Sequence, residues 1–90
     1  MSFLPIVKPE ILEKVLIKLG FKKTRQKGSH AFYQHIDGRT TVVPFHKNYE
    51  LPKSLIRAIL REIDISVDKF IKEYRNLMLE KDNIFLGNTC

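Results

Sequence analysis

Asp37-Gly38 is the pair that most restricts how this chain can fold. It separates two runs of strand-forming residues, His30 to Ile36 and Arg39 to Phe45, the second rich in β-branched side chains. An Asp-Gly pair flanked this way is among the strongest hairpin signals, because both central positions of a type I′ turn need positive φ. The two runs are therefore read as neighbouring antiparallel strands. A two-residue loop sets Ile36 opposite Arg39, Phe32 opposite Val43 and His30 opposite Phe45. Residues of one parity share a face. One face then carries His30, Phe32, Gln34, Thr41, Val43 and Phe45. The other carries Ala31, Tyr33, His35, Thr40, Val42 and Pro44. The first has the larger apolar content, so it is expected to face the helices, with His30 at the rim of the core.

The elements around this hairpin follow from periodicity and punctuation. Pro9 suits the first turn of a helix, and Glu10 beside it complements the positive end of the helix dipole. Ile11, Leu12, Val15, Leu16 and Leu19 then recur at helical spacing, and Gly20 stands where a left-handed cap is wanted. A first helix is expected over 9–19. Phe21 to Gln26 reads as a polar strand whose lysines suit a sheet edge. Gly28 turns it into the strand that begins at His30. Pro52 opens a second helix, buried through Leu55, Ile56, Ala58, Ile59, Leu60 and Ile63. Ser66 is a good N-cap, and a third apolar stripe, Val67, Phe70, Ile71, Tyr74, Leu77 and Met78, extends to about Glu80. Residues 82–90 read as a tail. The expected fold is α+β, a two-layer α-β-β-β-α domain with a three-stranded antiparallel sheet and an extra C-terminal helix. Residues 1–65 form its main unit, and the helix and tail of 66–90 pack on the same single domain.

Charge and cysteine usage narrow the function classes. The net charge is +6, and its excess is localised. Residues 1–50 hold nine Lys/Arg against four Asp/Glu, and residues 66–90 hold four against four. A basic field on a small domain favours polyanions, nucleic acid first. The longest apolar runs are only a few residues, too short for a transmembrane helix, and Met1 to Pro5 does not read as a secretory signal. The single cysteine, Cys90, cannot make an internal disulfide, which suits a reducing cytoplasm.

Three histidines are present, His30, His35 and His46, and none is spaced with another His, Cys or carboxylate as a metal ligand. No metal and no cofactor is expected. There is no phosphate loop, dinucleotide fingerprint or nucleophile elbow. What remains is histidine beside cations, which is enough to cleave RNA. RNA carries its own nucleophile, the 2′-hydroxyl, so a protein need only move protons and stabilise charge on the phosphorane. His30 follows Gly28-Ser29, and Lys22, Lys23, Arg25 and Lys27 stand on its approach. It is the candidate general acid or base, with Lys27 or Arg25 near the phosphate. The competing reading is a histidine bonded to backbone at a strand start. Ser29 is read as shaping the turn. His46 is a candidate auxiliary group near the same edge, or a loop histidine. His35 is expected to be solvated. Lys53, Arg57 and Arg61, at i, i+4 and i+8, make one basic ridge, either a solvated helix face or a tracker of phosphates.

These residues, taken in order, resemble a known family. Leu19-Gly20-Phe21, Arg25-Gln26-Lys27-Gly28-Ser29-His30, Asp37-Gly38-Arg39, Val43-Pro44-Phe45-His46 and Glu50-Leu51-Pro52, with Leu55 and Ile59-Leu60, are similar to the HicA toxins. The resemblance spans roughly residues 9–65. It implies a fold like the double-stranded RNA-binding domain and a ribosome-independent mRNA endoribonuclease in which His30 is catalytic. The residues themselves, rather than the resemblance, make Lys22, Lys23, Arg25, Lys27, Ser29, Lys53, Arg57 and Arg61 the expected RNA contacts, with His46 as a candidate auxiliary. The resemblance implies a HicB-like antitoxin as the protein partner, bound as a hetero-oligomer over the site, and neither a metal nor a membrane. Members often end soon after the second core helix, so residues 66–90 depart from the pattern. Two other classes stay open: a non-catalytic module of the double-stranded RNA-binding type, and a protein-binding domain whose basic face meets an acidic partner.

Overall fold

The computed structural model describes residues 4–46 and 49–89, with side chains as far as residue 79. The order is α1 (Pro9–Lys18), β1 (Phe21–Lys27), β2 (His30–His35), β3 (Thr40–Pro44), α2 (Lys53–Glu62) and α3 (Val67–Thr89). The sheet is an antiparallel meander in the order β1-β2-β3. The α+β architecture expected from the sequence is thus the one found.

All three helices lie on one side. α1 packs on β1 and β3, α2 on β3, and α3 on α1 and α2. Leu12, Val15 and Leu16 of α1 are fully buried, as are Ile56 of α2, Ile63 beyond its end, and Phe70 of α3. Each such side chain contributes about 1.5–3 kcal/mol by leaving water. Leu4 and Val7 of the lead-in are also buried, and Val7 bridges Leu51. Cys90 lies outside the described residues. α3 continues through 82–89, the stretch read as a tail. Neither Pro nor Gly interrupts the chain between Ser66 and Gly87, so nothing stops the helix earlier. No helix among the described residues is long and apolar enough to cross a membrane.

The hairpin register differs from expectation by one residue. His35 N–H donates to the Arg39 carbonyl at 2.8 Å and Gly38 N–H to the His35 carbonyl at 2.9 Å. The loop is therefore three residues, Ile36-Asp37-Gly38. Only Gly38 has positive φ, at 100°; Asp37 does not, so the type I′ turn cannot form. Asp37 instead accepts the Arg39 N–H on its carboxylate. His30 pairs with Pro44, Ala31 with Val43, Phe32 with Val42 and Tyr33 with Thr41. One step of slip exchanges the faces of β2. Ala31 and Tyr33 go under the helices, and His30, Phe32 and Gln34 turn outward. The helix side also gives Tyr33 a partner, since its hydroxyl donates to Glu13 of α1.

Candidate active site on the open sheet face

A second irregularity decides what surrounds His30. β1 is bulged between Lys23 and Arg25, leaving Thr24 without a partner on β2. The Thr24 hydroxyl closes the bulge by donating to the Phe32 carbonyl at 3.3 Å. In a regular strand Lys23, Arg25 and Lys27 would share a face. The extra residue splits them. Lys23 pairs with Tyr33 on the helix side, whereas Arg25 pairs with Phe32 and Lys27 with His30 on the open side. Bulges re-aim side chains in this way near sites.

The open face therefore holds Lys22, Arg25 and Lys27 on β1, His30, Phe32 and Gln34 on β2, and Thr40, Val42 and Pro44 on β3. None of these is acidic. His30 is exposed, and among the described residues its ring has no hydrogen-bond partner. It is neither the rim-of-core residue the register had suggested nor tied to backbone at the strand start. Arg25 lies over the Phe32 ring, 4.5 Å from its centroid. Beside this stack is a shallow hollow lined by Thr24, Gln34 and Thr40, with Glu62 at its border accepting from the Thr41 hydroxyl at 2.7 Å.

The turn that delivers His30 is a two-residue loop, Gly28-Ser29, between paired Lys27 and His30. Gly28 has φ of 59° and Ser29 is not in the positive region, so glycine is needed at the first position only. Ser29 does not shape the turn through its hydroxyl, which has no partner among the described residues. Gln26 does, by donating from Nε2 to the Gly28 carbonyl at 3.2 Å. Ser29 contributes its carbonyl, which accepts the Phe45 N–H and closes this end of the sheet.

The remaining candidates lie elsewhere. Lys23 is 2.9 Å from the Glu13 carboxylate and belongs to the helix-side network. There, burial raises the Glu13 carboxyl, but the Tyr33 hydroxyl and the Lys23 ammonium more than offset it and hold it below its ordinary value. Burial first, and then the adjacent Glu13 carboxylate, push the Tyr33 phenol far above its ordinary value. Lys53, Arg57 and Arg61 are exposed on α2, in the helix layer, with the sheet between them and His30. The basic residues grouped by sequence thus form two separate surfaces. His46 is exposed two residues past Pro44, and its ring meets Tyr49 edge-on at 5.2 Å. His35, expected to be solvated, is half-buried. Its ring sits edge-on to Phe21 at 5.1 Å and its Nδ1 accepts the Asp37 N–H at 3.1 Å.

Two residues take roles their local sequence does not announce: Phe32, half-buried on the open face, and Arg39, a clamp. Arg39 donates from Nε to both Asp37 carboxylate oxygens and from NH1 to the Ile63 carbonyl at 2.6 Å, joining the hairpin tip to the end of α2. The Arg39 fork holds the Asp37 carboxyl below its ordinary value. Its presence beside Asp-Gly was visible, but its target is 24 residues away in the chain. Among the described residues no group of three or more His, Cys, Asp or Glu is placed to hold a metal ion.

No curated protein matches this chain. A family model described as the HicA toxin of bacterial toxin–antitoxin systems matches residues 10–65, from α1 to just past α2. It takes in the whole sheet, both turns, the bulge and the outward-facing histidine. On that match, over well more than half its length, the chain belongs to the HicA toxin family.

Proposed function

We propose that this toxin is a metal-independent endoribonuclease that cleaves mRNA by proton transfer at His30. The observation that carries this reading is an exposed imidazole that has no hydrogen-bond partner among the described residues, on a strand face whose own charged side chains, Lys22, Arg25 and Lys27, are all cationic. A neutral His30 ring accepts the proton of a ribose 2′-hydroxyl as that oxygen attacks the adjacent phosphorus. In its protonated form it donates to the departing 5′-oxygen. The products are a 2′,3′-cyclic phosphate and a 5′-hydroxyl end. Lys27, directly across from His30, and Lys22 or Arg25 further along the face neutralise the charge that builds on the phosphorane. His46, at the same end of the sheet, is the candidate for the second proton transfer.

The proposed partner is an acidic, HicB-like antitoxin, which neutralises the toxin by covering this face. Both encounters take place in the cytoplasm. The test is incubation of purified protein with single-stranded RNA in EDTA, beside His30→Ala. Parent cleavage to cyclic phosphate ends is expected, with a loss of at least 100-fold in the variant, the usual scale of a general acid or base. Equal cutting by His30→Ala removes His30 from the mechanism. Cutting that EDTA abolishes removes metal independence.

A further inference from the structure

We propose that the Arg25–Phe32 pair is a stacking platform for one unpaired base of an RNA strand lying across the open sheet face. This deepens the ribonuclease reading and rests on it for the identity of the polyanion.

Phe32 occupies the middle of the central strand on the side away from every helix. Among the described residues, the ring partner it has is Arg25, directly across on β1. An exposed cation–π contact is a weak interaction. It does not by itself account for an aromatic ring left outside the core. Arg25 is exposed, so the stack is open on its solvent side. Bases stack on aromatic rings and on guanidinium planes alike. The Thr24 bulge is what carries Arg25 and Lys27 to this face, and Thr24 is fastened to the carbonyl of Phe32 itself.

The spacing suits one nucleotide. His30 and Phe32 are two residues apart on one face, about 6.6 Å along the strand. A base on the platform leaves its phosphate beside His30 and Lys27. Thr24, Gln34 and Thr40 line the hollow next to the stack and offer hydrogen bonds to a base edge. A duplex cannot use this arrangement, because its bases are already stacked and paired. The platform therefore selects single strands.

The test uses the full chain carrying His30→Ala, so that binding is measured without cutting. The probes are a fluorescein-labelled 12-nucleotide single strand, the same strand annealed to its complement, and a strand with 2-aminopurine in place of each adenine. Phe32→Leu is expected to weaken single-strand binding about 5- to 150-fold, the effect of losing one stacked base. The slope of log affinity against log salt stays unchanged. Arg25→Lys keeps the charge and weakens binding in the same direction. Lys27→Ala, in contrast, reduces the salt slope by about 0.7. Fluorescence of 2-aminopurine is quenched by the parent and not by Phe32→Leu. If thermal melting shows Phe32→Leu to be unfolded, Arg25→Lys decides the matter.

Equal binding of duplex and single strand overturns the platform. So do both variants binding the single strand within twofold of the parent. The two readings fail separately. If the chain with His30 intact cleaves RNA and Phe32→Leu does so equally well, the platform is wrong and the nuclease stands. If that chain cuts nothing yet Phe32→Leu weakens binding as stated, the nuclease is wrong and the platform stands.

Discussion

Gly20→Ala is expected to be among the most damaging single-methyl additions to this protein, and for two separable reasons. Gly20 follows α1 with φ of 97°, a conformation that L residues rarely adopt. A side chain there costs about 1–2 kcal/mol. A Cβ at Gly20 would also lie 2.8 Å from His35 Nε2, closer than van der Waals contact allows. The ring cannot retreat freely, because its other side is set by Phe21 and its Nδ1 by the Asp37 N–H. Forced contacts of this kind cost about 1–3 kcal/mol. The total, about 2–5 kcal/mol, is a large part of the roughly 5–13 kcal/mol a domain of this size has. It lowers the melting temperature by roughly 10–25 °C. The assay is urea and thermal unfolding of Gly20→Ala, His35→Ala and the double variant. With the imidazole removed, Gly20→Ala should cost only the conformational share. The cycle should therefore show a coupling equal to the steric share, about 1–3 kcal/mol. Equal costs in both backgrounds would mean that His35 does not crowd Gly20. A neutral Gly20→Ala would refute the positive φ itself.

Two other perturbations address the supports of the site. Tyr33→Phe removes the bond to Glu13 and should destabilise by about 1–3 kcal/mol near neutral pH. The difference from the parent should narrow at both extremes. Glu13 is depressed, so its contribution is present above its unfolded value of 4.5 and is lost as pH falls through the folded one. Tyr33 is raised, so its contribution is intact below its unfolded value of 10.0 and is lost as pH rises beyond that. A parent–variant gap that is flat from pH 3 to 11 in denaturant titrations counts against this bond. Arg39→Lys keeps the charge but loses the fork that reaches Asp37 and the Ile63 carbonyl together. It should lower the urea midpoint, chiefly through loss of the bond to the Ile63 carbonyl, and an unchanged midpoint shows the clamp to be idle.

What the sequence made legible was the kind and order of elements, because these follow from period and punctuation. Leu12, Val15 and Leu16 repeat at helical spacing, and Asp37-Gly38 and Gly28 mark the two turns. Its blind spot was a choice of one residue, made twice. Asp-Gly closes a type I′ two-residue loop only if both residues take positive φ, and neighbouring sequence does not reveal that Asp37 bonds to Arg39 instead. Lys22 to Gln26 is a run of similar polar residues in which any could have bulged, so Lys23 and Arg25 were indistinguishable until Thr24 separated them. Ala31-Phe32-Tyr33 presents three apolar side chains in a row, and alternation cannot say which parity is buried. The choice fell to partners across the fold: Glu13 for Tyr33, Arg25 for Phe32.

That one-step choice has functional weight under the reading proposed for His30. At the rim of the core, its environment would be set by the helices above it. On the open face, its neighbours are Lys27 across one strand and Pro44 across the other, and no helix of the described fold packs there. The protein then supplies cations and a flat surface, and the RNA must complete the geometry by where its phosphate and base come to rest. Inhibition follows the same logic. Under the proposed function, an antitoxin that satisfied Lys22, Arg25 and Lys27 with carboxylates would occupy the surface the RNA needs, and the two would exclude one another without any conformational change in the toxin. The ridge of Lys53, Arg57 and Arg61 lies in the other layer, and under that reading it stands outside the competition. Neutralising it by substitution should leave antitoxin inhibition intact, whereas reversing Lys27 should weaken antitoxin and RNA together.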